Sequence, residues 1–308
     1  MNAVDLGLWG VPLAVLAGAV RVSVPFLFVS LGECLTERSG RINLGLEGTL
    51  VFGAMSAYAV AVTTGSPWLG VLAAAAAGAA FGALHAACCS LPRVNDIAIG
   101  IALMLLGGGL AFHLGKPFIQ PPAPDLPSVP FGAWAASPQV RAALEINVLF
   151  PIGVALAFAM AWMFRRTRFG LVVRTVGDSD AAARALGLSS TRVRLVATSL
   201  GGALAGIGGA SLSLVYPGSW NEGISSGQGL IAVALVIFAR WNPIGCLGAS
   251  LLFGGAGALG PALQSVGVSG GYHLFGAAPY VLTLLVLIAT SSTTRELAGA
   301  PGELRLNR

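Results

Sequence analysis

Residues 165–187 read RRTRFGLVVRTVGDSDAAARALG, and this stretch stands apart from the rest of the chain. The 308-residue chain is 56% hydrophobic and 9% charged, yet seven of its sixteen arginines fall between Arg165 and Arg194. A soluble domain carries about 25% charged residues. Apolar runs of about 20 residues, the length that crosses a bilayer core, lie on both sides of the island. A charged island between such runs is a loop outside the bilayer of an all-α polytopic membrane protein. An outer-membrane barrel would show short alternating segments instead, and none is visible. The 43 glycines and the many alanines suit helices packed closely in lipid.

Outward from the island, the hydropathy pattern predicts about nine transmembrane helices, some of them discontinuous. They lie near 8–31, 44–63, 68–91, 97–114, 146–164, 195–216, 227–240, 244–260 and 277–291. The segments at 227 and 244 are short for a crossing and rich in Gly, as tilted or broken helices are. Together they make residues 1–308 a single transmembrane domain. Its special parts are a Pro-rich outer loop at 115–145 and the charged loop at 165–194. Lys/Arg-rich loops stay on the cytoplasmic side. Fourteen basic residues fall on the side of the island and the C-terminus, including Arg38, Arg41, Arg93, Arg240, Arg295, Arg305 and Arg308. Only Lys116 and Arg141 fall on the other, and Arg21 lies inside the first run. The island and C-terminus are therefore expected in the cytoplasm and, with nine crossings, the N-terminus outside. Asp5 and the lack of a basic leader argue against a cleaved signal peptide.

Within the island, Asp178 or Ser179 is placed to cap a helix, Asp180 suits its positive N-terminal end, and Ala181, Ala182 and Ala183 propagate it. Gly187 is placed to stop it. The pattern predicts one helix of two or three turns on the cytoplasmic side. A loop that only sets topology needs charge but no capped helix with small residues on its face. Such a face fits a partner's cleft.

The stretch RFGLVVRTVGDSDAAARALGLSSTRVR (168–194) resembles the coupling-helix region of ABC importer permeases of the branched-chain amino acid, ribose and nucleoside group. ERSGRINLGLEGTLVFGA (37–54) is similar to the nucleoside-type permeases and the related simple-sugar ones. VNDIAIGIALMLLGGGL (94–110), GQGLIAVALVIFARWNPIGCLGASLLFG (227–254) and APYVLTLLVLIAT (278–290) continue the resemblance in order through nearly the whole chain. Met104 stands where these permeases lead one to expect an amide, which bears on selectivity. The resemblance implies a permease subunit translocating nucleosides or related small polar solutes by alternating access. It implies a cytoplasmic ABC ATPase that binds the ATP, no cofactor in this chain, and a second permease subunit in a heterodimer. It also implies an extracytoplasmic solute-binding lipoprotein or periplasmic protein, and a bacterial inner membrane as the location. In the coupling helix it points to Asp178 as cap, Ala182 as close contact, Arg184 as charge contact and Gly187 as stop.

Polar groups inside membrane segments are few, and each costs roughly 2.5–3.5 kcal/mol at mid-bilayer when charged. Arg38, Arg41, Asn43 and Glu47 fall within ten residues broken by Gly40, Gly45 and Gly48. Either this is an interrupted helix lining a cavity, as in transporters, or it is a tight turn at the interface. Asn95 and Asp96 open the fourth segment, as a helix cap or as route lining. Gln228 lies in a short Gly-flanked segment. Asn43, Glu47, Asn95, Asp96 and Gln228 are thus the candidates for the substrate pathway. The Pro-rich outer loop is a lid, a docking surface or a plain connector. Trp220, Asn221 and Glu222 beyond it either meet the solute receptor or anchor at the membrane edge.

Other functions find little support. Gly115-Lys116 is followed by Pro117, so the chain carries no nucleotide-binding loop. His85, His113 and His273 are too scattered for a metal, and Cys34, Cys88, Cys89 and Cys246 are spaced as packing residues. No catalytic constellation is visible, so the chain is not read as an enzyme. The island lacks interleaved aromatics, which argues against nucleic acid and is compatible with anionic membrane lipid. The alternative is a stand-alone secondary transporter or channel. It requires a titrating carboxylate deep in a span, for which only Glu47 and Glu33 qualify.

Overall fold

The computed structural model describes residues 10–118, 122–135, 140–141, 144–215, 218–265, 277–290 and 299–306. Helix α1 (Gly10–Arg38) has 29 residues and runs through Pro25, which a membrane helix tolerates when neighbours satisfy the freed carbonyl. A non-helical link, 39–45, leads to α2 (Leu46–Thr64). Gly65, at φ +71°, closes α2 by donating to the Ala61 carbonyl. Helix α3 (Pro67–Cys89) has proline in its first turn, where no N–H is needed. Helix α4 (Asp96–Gly115) continues into a 3-10 turn, Lys116–Phe118. Helix α5 (Leu149–Arg166) precedes the island.

The island folds as two helices, not one: α6 (Arg168–Asp178) and the six-residue α7 (Asp180–Ala185). After them come α8 (Ser190–Leu214), α9 (Gln228–Phe238), α10 (Pro243–Ser265), α11 (Ala278–Thr290) and α12 (Gly302–Leu306).

Seven helices are long and apolar enough to cross a membrane among the described residues: α1 to α5, α8 and α10. Three of the nine expected segments differ, two shorter and one longer than read. The segment near 227–240 is only the 11-residue α9, about 16 Å long at 1.5 Å per residue, half of a bilayer core of about 30 Å. The segment near 244–260, read as short, is the 23-residue α10. The segment near 277–291 holds the 13-residue α11. Arg295, Arg308 and His273 lie outside the described residues.

The chain is not wholly helical. In the outer loop, β1 (Ser128–Pro130) pairs antiparallel with β2 (Glu145–Asn147), Val129 opposite Ile146. The described part of this loop caps the bundle. The N–H of Leu126 donates to the Leu214 carbonyl (3.4 Å) and that of Ala123 to the Gly218 carbonyl (3.0 Å), with both side chains buried.

Helix α8 forms the centre, packed against α1, α2 and α3. Its small residues make this possible. A Cβ at Gly202 would collide with the Gly78 carbonyl of α3, one at Gly206 with Ala74, one at Gly209 with the Leu50 carbonyl of α2, and one at Gly201 with Gly32 of α1. Backbones this close gain dispersion and polar contacts in a medium that offers no hydrophobic drive between helices. The Ser213 hydroxyl adds one such bond, to the Ala54 carbonyl at 2.8 Å. Large apolar side chains on α3 and α4, such as Leu72 (64% exposed) and Leu105 (68%), face outward.

Side-chain contacts gather the basic residues at one end. Arg194 at the start of α8 reaches Ser39, Arg38 reaches the link between α9 and α10, and Arg41 reaches the α3–α4 corner. Lys116 lies at the opposite end of α4, the end covered by the outer loop.

Candidate functional site: the basic end of the bundle

The 39–45 link is buried at Ser39, Gly40, Asn43 and Gly45 and half-buried at Arg41, Ile42 and Leu44, with Ser39 fully enclosed and Asn43 2% exposed. It is a link between two helices, not a break within one, and side chains satisfy its backbone. The N–H of Asn43 donates to Glu33 Oε1 (2.8 Å) and that of Gly45 to Asn43 Oδ1 (2.9 Å). Gly40 turns the chain at φ +85°. Arg41 Nη1 meets Asp96 Oδ1 at 2.6 Å, and Nη2 donates to the Cys89 carbonyl at 2.5 Å. This ion pair is only 16% and 15% exposed, so it ties the link to the first turn of α4. Asn95 accepts from the N–H groups of Ile97 (2.8 Å) and Ala98 (3.1 Å). The cap reading of Asn95 therefore holds, and Asp96 is engaged by Arg41.

Glu47, at the second position of α2, reaches α9. Its Oε1 accepts from the Ser225 hydroxyl (2.5 Å) and the Gly227 N–H (3.2 Å), and its Oε2 from the Gly229 N–H (2.6 Å). The carboxylate thus occupies the N-terminus of a half-length helix, where free N–H groups and the helix dipole favour an anion. Gly229 permits this approach, because a Cβ there would lie 2.6 Å from Glu47 Oε2. Gln228 sits between these contacts at the first position of α9, and its Oε1 is buried without a hydrogen-bond partner among the described residues.

The other end of α9 is held by α1. Arg240 and Trp241 both adopt left-handed backbone, at φ +51° and +54°, conformations that cost a non-glycine residue energy. Arg38 supports this turn by donating from Nε (3.0 Å) and Nη2 (2.8 Å) to the Trp241 carbonyl. The Trp241 indole N–H donates to the Glu37 carboxylate.

All five pathway candidates thus lie around the link and the start of α9. Asn43, Asn95, Asp96 and Glu47 are engaged in holding backbone or charge, and Gln228 alone presents an unpaired polar atom. Met104 is half-buried, with its backbone against Gly48. Trp220 is buried (4%) rather than exposed at a membrane edge, packed against Gly115. Asn221 and Glu222 are exposed. His85 is enclosed, 3.3 Å from the Asp96 carbonyl through Nε2. The cysteines are free and three of them buried. Among the described residues no group of three or more His, Cys, Asp or Glu is placed to hold a metal.

At the island, the expectation that Asp178 caps the coupling helix is corrected. Asp178 ends α6, and the cap is Ser179, in extended backbone at φ −159°. Its hydroxyl accepts from the Ala182 N–H at 3.2 Å. The stop at Gly187 holds. At φ +74°, its N–H donates to the Arg184 carbonyl and the Leu188 N–H to the Ala183 carbonyl, both at 2.9 Å, the paired closure of a left-handed helix end. Arg184 is 73% exposed and pairs with Asp180 at 2.6 Å. The Ser190 hydroxyl, with Arg194 and Arg184, holds the Asp180 carboxyl below the usual aspartate range. Ala183 is buried, whereas Ala181, Ala182 and Leu186 face outward. Leu186, at 70% exposure, is an apolar knob that sequence reasoning missed, although its position after an Ala run and before Gly was a usable signal. Glu303 was missed too. Its Oε1 accepts from the Asp180 N–H at 2.8 Å, and nothing in a short polar tail announces that. The Glu37–Trp241 and Ser225–Glu47 contacts were equally silent.

Residues 14–291 match the family described as branched-chain amino acid transport system / permease component. The chain is 32% identical over 295 residues to the nucleoside ABC transporter permease protein NupC of Lactococcus lactis, covering 89% of this chain and 90% of that one. It is 31% identical over 291 residues to the guanosine ABC transporter permease protein NupQ of Bacillus subtilis, covering 86% and 88%. It is 34% identical over 259 residues to the putative glucose ABC transporter permease protein TsgC13 of Haloferax volcanii, covering 82% and 79%. More distant relatives from the same two bacteria are the permeases NupB and NupP. With several apolar helices long enough to span a bilayer and a match over nearly all its length, the chain belongs to this permease family and is a membrane-embedded ABC transport permease, not an enzyme.

Proposed function

We propose that the chain is one of two permease subunits of an ATP-driven importer of nucleosides or related small polar solutes in a bacterial inner membrane. The observation that carries this reading is α7. It is a short helix closed at both ends by hydrogen bonds, standing at the basic end with Ala181, Ala182, Arg184 and Leu186 outward. The excess of basic residues supports a cytoplasmic location for that end and for the C-terminus. Residues 165–194 form the coupling loop of a single transmembrane domain, and a separate ABC ATPase binds both the ATP and the α7 knob. The outward apolar faces of α3 and α4 meet lipid or the second permease. NupC and NupB, and likewise NupQ and NupP, are pairs of relatives within one organism, which favours a heterodimer. An extracytoplasmic binding protein delivers the solute to the end covered by the 115–145 loop.

On this reading α9 and its unpaired Gln228 line the route, and Glu47 holds α9 in place. Asn43, Asn95 and Asp96 frame the cytoplasmic closure. Solute meets few fixed polar groups, as alternating access requires if neither state is to trap it. The test is reconstitution of the full complex in vesicles with labelled guanosine. Uptake that requires ATP, the ATPase and the binding protein supports the proposal. Uptake by this chain alone, driven by an ion gradient after ATP depletion, refutes it.

A further inference from the structure

We infer that the C-terminal segment 299–306 is a strut that fixes the coupling helix to the α1–α2 link, with Glu303 as its positioning residue. This inference rests on the reading of α7 as the coupling helix. Four observations converge on it. Glu303 Oε1 accepts from the N–H of Asp180, the first residue of α7, at 2.8 Å. Glu303 Oε2 faces Arg194 Nη2 at 3.5 Å, with the two side chains 19% and 12% exposed. Arg194 in turn donates from Nε to the Ser39 carbonyl in the link at 3.1 Å. Gly302 packs so closely on the Asp178 carbonyl that a Cβ would collide with it, and Gly40 of the link lies against the Glu303 Cβ.

The same segment reaches a third element. Ala300 is buried, and with Leu304 it packs into the cluster that holds Trp241 and Cys246. Gly299 lies against the Arg240 carbonyl. One short segment therefore touches the α6–α7 junction, the α1–α2 link and the α9–α10 turn. A tail that merely filled space would need only its apolar contacts. Glu303 does something different, because one of its oxygens accepts from a coupling-helix N–H and the other faces, as an ion pair, a guanidinium already bonded to the link. A tilt of α7 acts on Arg194 and Ser39 through this carboxylate.

The test uses the complete reconstituted complex and two variants, Glu303→Ala and Glu303→Gln. Gln keeps an acceptor for the Asp180 N–H and loses the charge facing Arg194. The expected result is ATPase activity close to that of the unaltered complex, with solute moved per ATP falling about tenfold in Glu303→Ala, within the range of allosteric couplings. Glu303→Gln should recover part of that loss. Hydrogen exchange of peptide 179–186 in the detergent-purified chain supplies a readout without transport. Loss of the cap-type bond should speed it about tenfold. Should Glu303→Ala fail to assemble, Glu303→Gln decides. Unchanged solute per ATP, or exchange in 179–186 equal to the unaltered chain, overturns the strut. If the unaltered complex itself shows no ATP-driven uptake, the coupling reading fails instead, and the exchange measurement still judges the contact.

Discussion

Replacing Glu47 by alanine should release the N-terminus of α9 while leaving the rest of the bundle folded. The carboxylate accepts three hydrogen bonds, from the Ser225 hydroxyl and the N–H groups of Gly227 and Gly229. Hydrogen bonds to a charged group contribute about 1.5–3 kcal/mol each, and an anion at a helix N-terminus adds about 0.3–1 kcal/mol. The three bonds share one anchor, so they do not add, and Glu47 is only partly buried. A net loss of about 2–4 kcal/mol for local opening is the reasonable sum, given that Ala leaves two N–H groups unpaired. Helix α9 has 11 residues, and its first turn carries the N–H groups that Glu47 satisfies, so the loss should appear there as local opening. At 1.4 kcal/mol per decade, amide exchange in 225–232 should accelerate roughly 30- to 700-fold. Glu47→Gln should fall between, because its amide NH2 faces a donor at one of the two backbone sites. Hydrogen exchange by mass spectrometry on purified protein measures this, with α8 peptides as the internal control. Exchange in 225–232 within about threefold of the unaltered chain, with α8 unchanged, would refute the clamp.

Arg41→Ala should destabilise the chain by about 2–3 kcal/mol, since it strands Asp96 in a largely buried site, and Arg41→Ala with Asp96→Ala should cost less than the sum of the two singles. Thermal aggregation midpoints of all four chains close that double-mutant cycle. Replacing Arg184 and Gly187 together should leave membrane insertion intact and uncouple ATPase from transport. Gly187→Ala alone should loosen the end of α7 by about 1 kcal/mol, because alanine disfavours φ +74°; normal coupling in the double variant would count against α7. Asp180 titrates below the usual aspartate range, so its contribution to the α7 corner is complete above about pH 4 and is lost as pH falls through the lowered value. A spin label at Ala182→Cys should gain mobility in that acid window, and Asp180→Asn should abolish the pH step; a step that survives the substitution would place the titrating group elsewhere.

Hydropathy makes the long helices legible because lipid demands about 20 apolar residues per crossing and leaves few other ways to satisfy a backbone. The glycines of α8 were legible as close packing for the same reason. Depth was not. The 11 residues of α9 are as apolar as any span, and nothing in them announces that the helix starts on the Glu47 carboxylate of another helix. Asp178 and Ser179 are equally good caps by residue type. The choice fell to Ser179 because Val173, Val176 and Gly177 bury against the bundle, Gly177 against the Arg38 carbonyl, and so keep α6 helical through Asp178. Asn95 was readable as a cap because its partners are two and three residues away. Glu303 was unreadable because its partner at Asp180 is 123 residues away. Sequence patterns report what is satisfied locally, and the polar groups here that matter most are satisfied at long range.

The contacts at the basic end share one anchor. Helix α9 is tied to α2 by Glu47 and to the end of α1 by Glu37 and Arg38. Helix α7 is tied to the link through Glu303, Arg194 and Ser39. The candidate route at α9 and helix α7 are both fastened to residues 37–47. A rigid-body displacement of α7 has only a few residues of link to cross before it reaches the carboxylate that holds α9. That link cannot absorb the motion as a flexible loop would. It is buried or half-buried throughout, its N–H groups at Asn43 and Gly45 are bonded, and Arg41 pins it to α4. Packed segments of this kind move between discrete arrangements rather than deforming smoothly. A polar link buried among apolar helices is costly to keep, and the proposed coupling through α7 gives it a use: such a link has to be stiff enough to carry a push and bonded well enough to survive in lipid.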